Sequence, residues 1–180
     1  AKLMRKVLNP PDVSAAGSLE DRYRQLIVKA EENGIWVLRS ETVAGNTHRP
    51  VPVDEFRGFA IADPMVPLVF INVRDAVAAQ LFTLVHELAH LWLGASGLSD
   101  PFAQSGHPIE RLCNAAAAEF LVPRELLSAR WRPKQAFAEQ CIALAGVFKV
   151  SAAVIAIRAR VLNLGTQREL DEFLESQRAG

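Results

Sequence analysis

The chain has 180 residues, half of them hydrophobic, and its formal net charge is zero. This length suits one domain with at most an appendage, and the hydrophobic fraction is sufficient for a core without disulfides. The neutral balance provides no overall attraction for nucleic acid or for an anionic membrane surface. The two cysteines, Cys113 and Cys141, form no spaced framework, which favours a reducing, cytoplasmic location.

Residues 1–17 are predicted to be a linker or arm, because glycine and neighbouring prolines break regular structure there. Ser18 and Asp21 form a capping pair at the start of a helix, and Gly34 ends that helix. The β-rich residues 35–38 then predict a strand.

A loop is predicted over residues 40–53, followed by strands over 56–62 and 68–72. The segment that joins these two strands carries two prolines, which mark a loop. Asp75 is the expected N-cap of the next helix, residues 76–93. This helix is the most apolar one, but it contains too many polar residues to be a membrane span, and no signal peptide is visible before it.

After a polar loop over residues 95–107, the chain is predicted to be helical. Helices are expected over about 108–122, 123–130, 134–148 and 152–163, and from a capping box of Thr166 and Glu169 to the end. The fold class is therefore α+β: a small, mostly antiparallel sheet packed on the 76–93 helix, followed by a helical tail. The expected division is an arm (1–17), a core domain (18–130) and a helical C-terminal region (131–180).

The helix at 76–93 carries the motif His86-Glu87-Leu88-Ala89-His90. Histidines four positions apart lie on one helix face, so one metal ion can bind both. Glu87 points to the side, where it can reach a water bound to that ion. This H-E-x-x-H pattern is typical of zinc peptidases. The alternative, a core helix with two buried histidines, would require partners for three buried polar groups.

A catalytic zinc usually has a third protein ligand, and the helix at 108–122 offers Glu110 and Glu119. They are nine residues apart, about half a turn out of phase, so only one of them can face the metal. Glu110 is favoured, because Asn114 shares its face and can hydrogen-bond a ligating histidine. Small alanines on that face allow close packing.

Glu119 is then expected to be exposed or to form a peripheral ion pair. His107 and Asp100 remain rival third ligands in the preceding loop. Cys113 is one turn from Glu110, and its thiolate is a further candidate for zinc chemistry, although a small buried side chain is the simpler interpretation.

Two segments resemble the paired motifs of the ImmA/IrrE family of metallopeptidases: FTLVHELAHLWL from Phe82 and ERLCNAAAAEFLVP from Glu110. The upstream RGFAIAD and VFIN and the downstream FKVSAAVIAIRARVLNLG also resemble that family, so the similarity covers roughly residues 20–165. Ala115 and Ala116 depart from the family pattern, where a bulkier or aromatic residue is common. This departure affects packing more than chemistry.

The resemblance implies a zincin-like, thermolysin-like domain with His86, His90 and Glu110 as ligands of zinc, or alternatively manganese, and Glu87 as general base. Members of the family act as endopeptidases on helix-turn-helix (XRE-type) repressors, in stress responses or mobile elements. A repressor of this kind is therefore the implied protein partner. The N-terminal DNA-binding domain of many relatives is expected to be absent or to have been removed.

The sequence does not single out an oxyanion-stabilising or substrate-binding residue. Tyr23, His107 and Arg57 are the candidates. An extended substrate is expected to pair with an exposed strand edge near residues 66–72.

The competing class is a non-catalytic, metal-containing regulatory module that binds a repressor or DNA. Residues 144–158 have helix-turn-helix spacing, with Arg158 and Arg160 on the second helix. However, apolar Ala152 and Val154 stand where base-reading polar residues would be needed. Direct nucleic-acid binding is therefore not expected for this chain alone.

Overall fold

The computed structural model describes residues 1–10, 12, 17–43, 46–50, 52–53, 57–99 and 108–179. The helices are α1 (Lys2–Leu8), α2 (Leu19–Glu32), α3 (Val77–Trp92), α4 (Pro108–Leu121), α5 (Arg124–Arg130), α6 (Phe137–Phe148), α7 (Ala152–Val161) and α8 (Gln167–Ala179). The strands are β1 (Trp36–Ser40), β2 (Thr42–Val43), β3 (Asn46–Pro50), β4 (Gly58–Ile61), β5 (Leu68–Asn72) and β6 (Gly97–Ser99).

The main sheet has the strand order β1-β5-β4-β6. The β1–β5 pair is parallel, whereas β4 pairs antiparallel with both β5 and β6. Strands β2 and β3 form a separate antiparallel pair. The predicted fold class is confirmed: a small, mostly antiparallel sheet packs on α3, and a helical tail follows.

Helix α3 lies between the sheet and α4. The register places Ala60, Val69 and Ile71 on the sheet face that is buried, with exposures of 2%, 0% and 0%. Leu84 and Leu88 of α3 are also fully buried, and burying each such side chain stabilises the fold by roughly 1.5–3 kcal/mol. This packing holds the polar side chains of the same helix in the protein interior.

Several predicted boundaries are confirmed by their capping contacts. Ser18 and Asp21 form a reciprocal capping box at the start of α2. The Ser151 hydroxyl accepts a hydrogen bond from the Val154 amide at the start of α7, and Thr166 and Glu169 cap α8 reciprocally.

The prediction of an irregular arm is wrong for residues 2–8, which form α1. Met4 and Leu8, four residues apart on one face, are 2% and 0% exposed in the hydrophobic core. Asn9 then ends the helix in the left-handed conformation, with φ of 40°. Pro10 follows the end of α1 without preventing the helix, because docking of its apolar face stabilises a short helix.

Two predicted loops contain strands. The 40–53 segment includes β2 and β3, and the 95–107 segment includes β6, which pairs with β4 in the register Gly58↔Ser99. These strands are two to five residues long and have no clear alternation of apolar and polar residues. Their pairing is determined by neighbouring backbone rather than by local sequence pattern.

The predicted N-cap of α3 is also wrong. The helix begins at Val77 with Ala76 as N-cap, and the Asp75 carboxylate accepts a hydrogen bond from the Ala76 amide. The Gln80 side chain closes this turn by donating to the carbonyl oxygens of Val73 and Asp75, at 3.2 and 2.7 Å.

Three arginines from three helices converge on the C-terminal end of α4. The carbonyl groups at a helix end lack intrahelical partners, and here they accept hydrogen bonds from arginine side chains. The pairs are Arg5 with Phe120 at 2.5 Å, Arg22 with Leu121 at 3.2 Å and Arg158 with Val122 at 3.2 Å. Helices α1, α2 and α7 are thereby tied to α4.

Replacing Arg22 with methionine is expected to lower the free energy of unfolding by about 2–4 kcal/mol. Arg22 is 8% exposed and also donates to the carbonyl of Phe148. Burial lowers its pKa to about 10, which leaves it charged at neutral pH. The variant leaves the carbonyls of Leu121 and Phe148 without this donor.

The measurement is urea unfolding of Arg22→Met beside Arg24→Met, a matched change at an exposed position of the same helix. The Arg24 variant is expected to stay within about 0.5 kcal/mol of wild type. Equal stabilities for the two variants would contradict this role for Arg22.

Among the described helices, none is by itself long and apolar enough to cross a bilayer.

Candidate metal centre

Three side chains from two helices converge on one point. His86 and His90 lie one turn apart on α3, and their Nε2 atoms are 3.1 Å from each other. Glu110, in the first turn of α4, places one carboxylate oxygen 3.1 Å from His86 Nε2 and the other 3.1 Å from His90 Nε2. Among the described residues, this is the group of His, Cys, Asp or Glu side chains that could hold a metal ion.

The spacing and chemistry of these donors fit a small divalent cation. Tetrahedral zinc with ligand bonds of about 2.0–2.1 Å places its ligand atoms about 3.3 Å apart. The two Nε2 atoms are 3.1 Å apart, and each lies 3.1 Å from one of the two Glu110 oxygens, which is close to that value. Two imidazoles and one carboxylate also leave a fourth position open, as a catalytic site requires.

His86 is held in the tautomer that a metal ligand needs. Its Nδ1 is 2.9 Å from the Asn114 side-chain oxygen, one turn beyond Glu110 on α4. Since that oxygen only accepts hydrogen bonds, Nδ1 carries the proton and Nε2 keeps its lone pair for the triad. Burial, followed by the neighbouring His90, lowers the pKa of His86. Both effects favour the neutral imidazole.

The His90 ring packs directly against the backbone of β6. A Cβ atom built at Gly97 would lie 2.6 Å from His90 Cε1 and 2.8 Å from His90 Nδ1, which no real Cβ contact allows. His90 is 1% exposed, so the ring is confined between α3 and the strand. Gly97 therefore permits the close approach that fixes the orientation of this imidazole.

Glu87 lies beneath β4 and is fully buried. A Cβ atom built at Gly58 would lie 3.4 Å from Glu87 Oε1 and 2.7 Å from the Thr83 methyl group. Gly58 thus brings the β4 backbone close to the α3 face that carries Glu87. Sequence reasoning missed both glycines, although a glycine inside a strand is a recognised signal of close backbone approach.

Replacing Gly97 with alanine is expected to displace the His90 ring and to weaken metal binding. The matched control is Gly146→Ala, because Gly146 lies in α6 and an added Cβ atom would have no neighbour within 4 Å. That change should leave metal binding intact and stabilise the protein by roughly 0.5–1 kcal/mol. Zinc titration against a competing chelator measures the first effect and thermal unfolding the second. Equal zinc affinities for both variants would rule out this role for Gly97.

The remaining predicted site residues fall in different places. Arg57 precedes β4, forms a 3.4 Å ion pair with Asp75 and lines a cleft between α3, α4 and α7. Tyr23 is 5% exposed within the hydrophobic core, and burial raises its pKa. His107 and the rival ligand Asp100 lie outside the described residues.

Glu119, the other candidate on α4, points away from the triad. It forms an ion pair with Arg158 of α7, and its second oxygen accepts from the Arg124 amide at 3.3 Å. The predicted ion pair is therefore present. It is only partly exposed, with side-chain exposures of 29% for Glu119 and 7% for Arg158.

Cys113 is fully buried on α4. Desolvation, with further contributions from the charges of Glu110 and Glu87, raises its pKa to about 12. The group of clustered donors does not include Cys113, which agrees with a packing role for this side chain.

The strand edge predicted for substrate near residues 66–72 is not available. Strand β5 is paired on both sides, with β1 and β4. The edge of the main sheet nearest the triad is instead β6, which contacts His90 through Gly97.

Comparison with known families agrees with this geometry. The family model described as Peptidase_M78, the IrrE N-terminal-like domain, matches residues 30–160 and so covers the sheet, the triad and nearly all of α7. No curated protein matches the sequence closely enough to be counted as a relative. The chain therefore belongs to the ImmA/IrrE family of metallopeptidases.

Proposed function

We propose that the chain is a zinc-dependent endopeptidase in which His86, His90 and Glu110 bind the metal and Glu87 is the general base. The observation that carries this proposal is the triad itself, three donor groups 3.1 Å apart with one histidine oriented by Asn114. In this proposal residues 18–130 form the metallopeptidase domain, and residues 131–180 form a helical region packed on it.

A zinc ion held by His86, His90 and Glu110 would supply Lewis acidity for a bound water and for the scissile carbonyl. Glu87 accepts a proton from the attacking water and delivers it to the leaving nitrogen of the cleaved peptide bond. Its burial keeps bulk water from competing for that proton. Asn114 holds His86 in position, and Gly97 holds His90. Manganese suits the same donor set less well, because it prefers more oxygen ligands.

The proposed substrate is a helix-turn-helix repressor of the XRE type, whose cleavage would relieve repression. Support for this comes from the family resemblance of the paired motifs rather than from a feature of the site. The test is incubation of the zinc-loaded chain with a purified repressor of that class encoded beside its gene. One discrete cleavage is expected with wild type and none with Glu87→Gln. An intact repressor after incubation with a chain that holds one zinc would contradict the proposed substrate.

The alternative function, a non-catalytic module that binds DNA or a repressor, is favoured by one observation. Helices α6 and α7 are bent by 111° about a short turn, within the range of helix-turn-helix motifs. Against DNA binding, Arg158 is 6% exposed and is engaged with Glu119 and Val122. The Arg160 side chain donates hydrogen bonds to the side-chain oxygens of Gln167 and Asn163. Salt-dependent DNA binding by the chain would favour this alternative.

A further inference from the structure

Strand β1 forms one edge of the main sheet, at the opposite end of the strand order from β6. Among the described residues, β5 is the one strand that pairs with it. Two large apolar side chains of β1 are exposed to solvent, Trp36 at 60% and Leu38 at 46%. Natural proteins usually cover or blunt such an edge, since its free backbone groups can pair with another strand. The edge is therefore a candidate interaction surface.

The hydrogen bonds of β1 show which of its backbone groups point outward. The Trp36 amide donates to the carbonyl of Pro67 at 2.9 Å, and the Ser40 carbonyl accepts from the amide of the residue after β5 at 3.2 Å. The amide and carbonyl of one strand residue point to the same side, and this side alternates from residue to residue. Since positions 36 and 40 face β5, the amides and carbonyls of Val37 and Arg39 point to the open edge.

The side chains of β1 alternate between the two faces of the sheet. Val37 packs against the hydrophobic core, and Arg39 lies beside the Tyr23 side chain of α2, so both are on the inner face. Trp36 and Leu38 are on the outer face. An incoming strand can therefore bond to the backbone at positions 37 and 39 and cover the apolar side chains at positions 36 and 38.

A second copy of β1, running antiparallel, is complementary to this edge. With a two-fold axis at Leu38, Val37 of each copy lies opposite Arg39 of the other, and the two pairs exchange four backbone hydrogen bonds. The two Leu38 side chains then meet at the axis, as a directly opposed cross-strand pair. Trp36 of each copy lies beside them and covers the contact.

The neighbouring registers fit less well. An axis at Arg39 would place two like charges directly opposite each other, which is destabilising. An axis at Val37 would require the outward amide of Ile35, which already donates to the carbonyl of Ala30 at 3.1 Å. The register centred on Leu38 avoids both problems.

This register also brings opposite charges together. A cleft of about 300 Å³ lies between β1 and the end of α2, and Glu31 and Val37 are among its lining residues. Arg39 of the second copy lies opposite Val37, on the face of the sheet that borders this cleft. Glu31 is exposed there, so the guanidinium of one copy meets a carboxylate of the other.

We propose that the chain forms a two-fold symmetric dimer in which the β1 strands of two copies pair antiparallel at Leu38 and join the two main sheets into one. Such isologous two-fold contacts are the commonest in homo-oligomers. The interface is small, so we expect a dissociation constant of roughly 1–100 µM. Because β6 is at the opposite edge of each sheet, the metal centres lie away from the interface. The inference does not depend on the proposed peptidase function.

Sedimentation equilibrium of the full chain, up to about 500 µM, measures the association. Leu38→Lys places two ammonium groups opposite each other at the axis and is expected to raise the dissociation constant at least about tenfold. Val28→Lys is the matched control, since Val28 is 49% exposed on α2, and it should dimerise like wild type. Val37→Pro removes an outward amide that β5 does not use. It should weaken the dimer as well and covers the case in which Leu38→Lys does not fold.

Disulfide cross-linking tests the register. Leu38→Cys places two thiols across the axis, where the Cα atoms of a non-hydrogen-bonded pair are about 4.5 Å apart, within the range of a disulfide. Oxidised glutathione should therefore produce a covalent dimer on a denaturing gel. Trp36→Cys is the control, because the two copies of position 36 are four residues apart along the strands, about 13 Å. The native Cys113 and Cys141 are fully buried.

Three results would overturn the proposal. One is a wild-type chain that stays monomeric at about 500 µM. Another is a dissociation constant that is the same in wild type, Leu38→Lys and Val37→Pro, because the interface would then lie elsewhere. The third is equal cross-linking of Leu38→Cys and Trp36→Cys, which would exclude pairing at Leu38.

Discussion

Glu87→Gln is expected to lower the rate of peptide hydrolysis by about 10²–10⁴-fold, the contribution typical of a general acid–base group. Glutamine has nearly the shape of glutamate, so the fully buried position beneath Gly58 remains filled. It cannot accept the proton of the attacking water. Metal content should be unchanged, because Glu87 is not one of the three clustered donors.

The measurement is the rate of repressor cleavage by wild type and Glu87→Gln at equal zinc occupancy. Matched thermal unfolding curves establish that both proteins are folded. Cleavage by the variant at the wild-type rate would exclude Glu87 as the general base. Loss of zinc from the variant would show instead that Glu87 contributes to metal binding.

Glu110→Ala is expected to weaken zinc binding by more than the roughly 10–100-fold loss seen when only an outer partner of a metal ligand is removed. Glu110 contacts both histidines, at 3.1 Å each, so its removal takes away one of three donors. Glu119→Ala is the matched control on the same helix. It should retain zinc but lose thermal stability, because Arg158 then lacks its carboxylate partner.

Competition with a chelator of known affinity measures both variants. If Glu110→Ala keeps the zinc affinity of wild type, Glu110 is not the third ligand. His107 and Asp100 are then the next candidates. Equal losses in both variants would indicate that the change acts through the fold of α4 rather than through the metal.

The grouping of His86, His90 and Glu110 could be predicted because helical periodicity is a local property. The spacing of His86 and His90 determines that they share a face, and the phase of α4 separates Glu110 from Glu119. The structure places Glu110 with the histidines and Glu119 with Arg158. The periodicity of long helices therefore indicates which candidate metal-binding side chains can lie close together.

The close contacts between strand backbone and the side chains of the site could not be predicted in the same way. Gly97 touches His90 only because β6 pairs with β4, and that pairing depends on strands too short to show a pattern. The cleft likewise requires α7 to dock beside α3 and α4. These are contacts between distant parts of the chain, which local propensity does not determine.

Helix α1 could not be predicted for a related reason. Only two apolar residues, Met4 and Leu8, mark the buried face of this helix, and two are too few to predict a helix from periodicity. The prolines that follow them predict irregular structure instead. Its stability comes from docking on the core and from the contact between Arg5 and Phe120, both of which are tertiary.

The most direct test of the metal centre is X-ray absorption at the zinc edge, on chain purified with zinc and freed of excess. We predict one zinc per chain with nitrogen and oxygen ligands at about 2.0–2.1 Å, two of them imidazoles. A sulfur ligand at about 2.3 Å would place Cys113 in the site and contradict the His86, His90 and Glu110 set. Absence of bound zinc would contradict the catalytic metal centre itself.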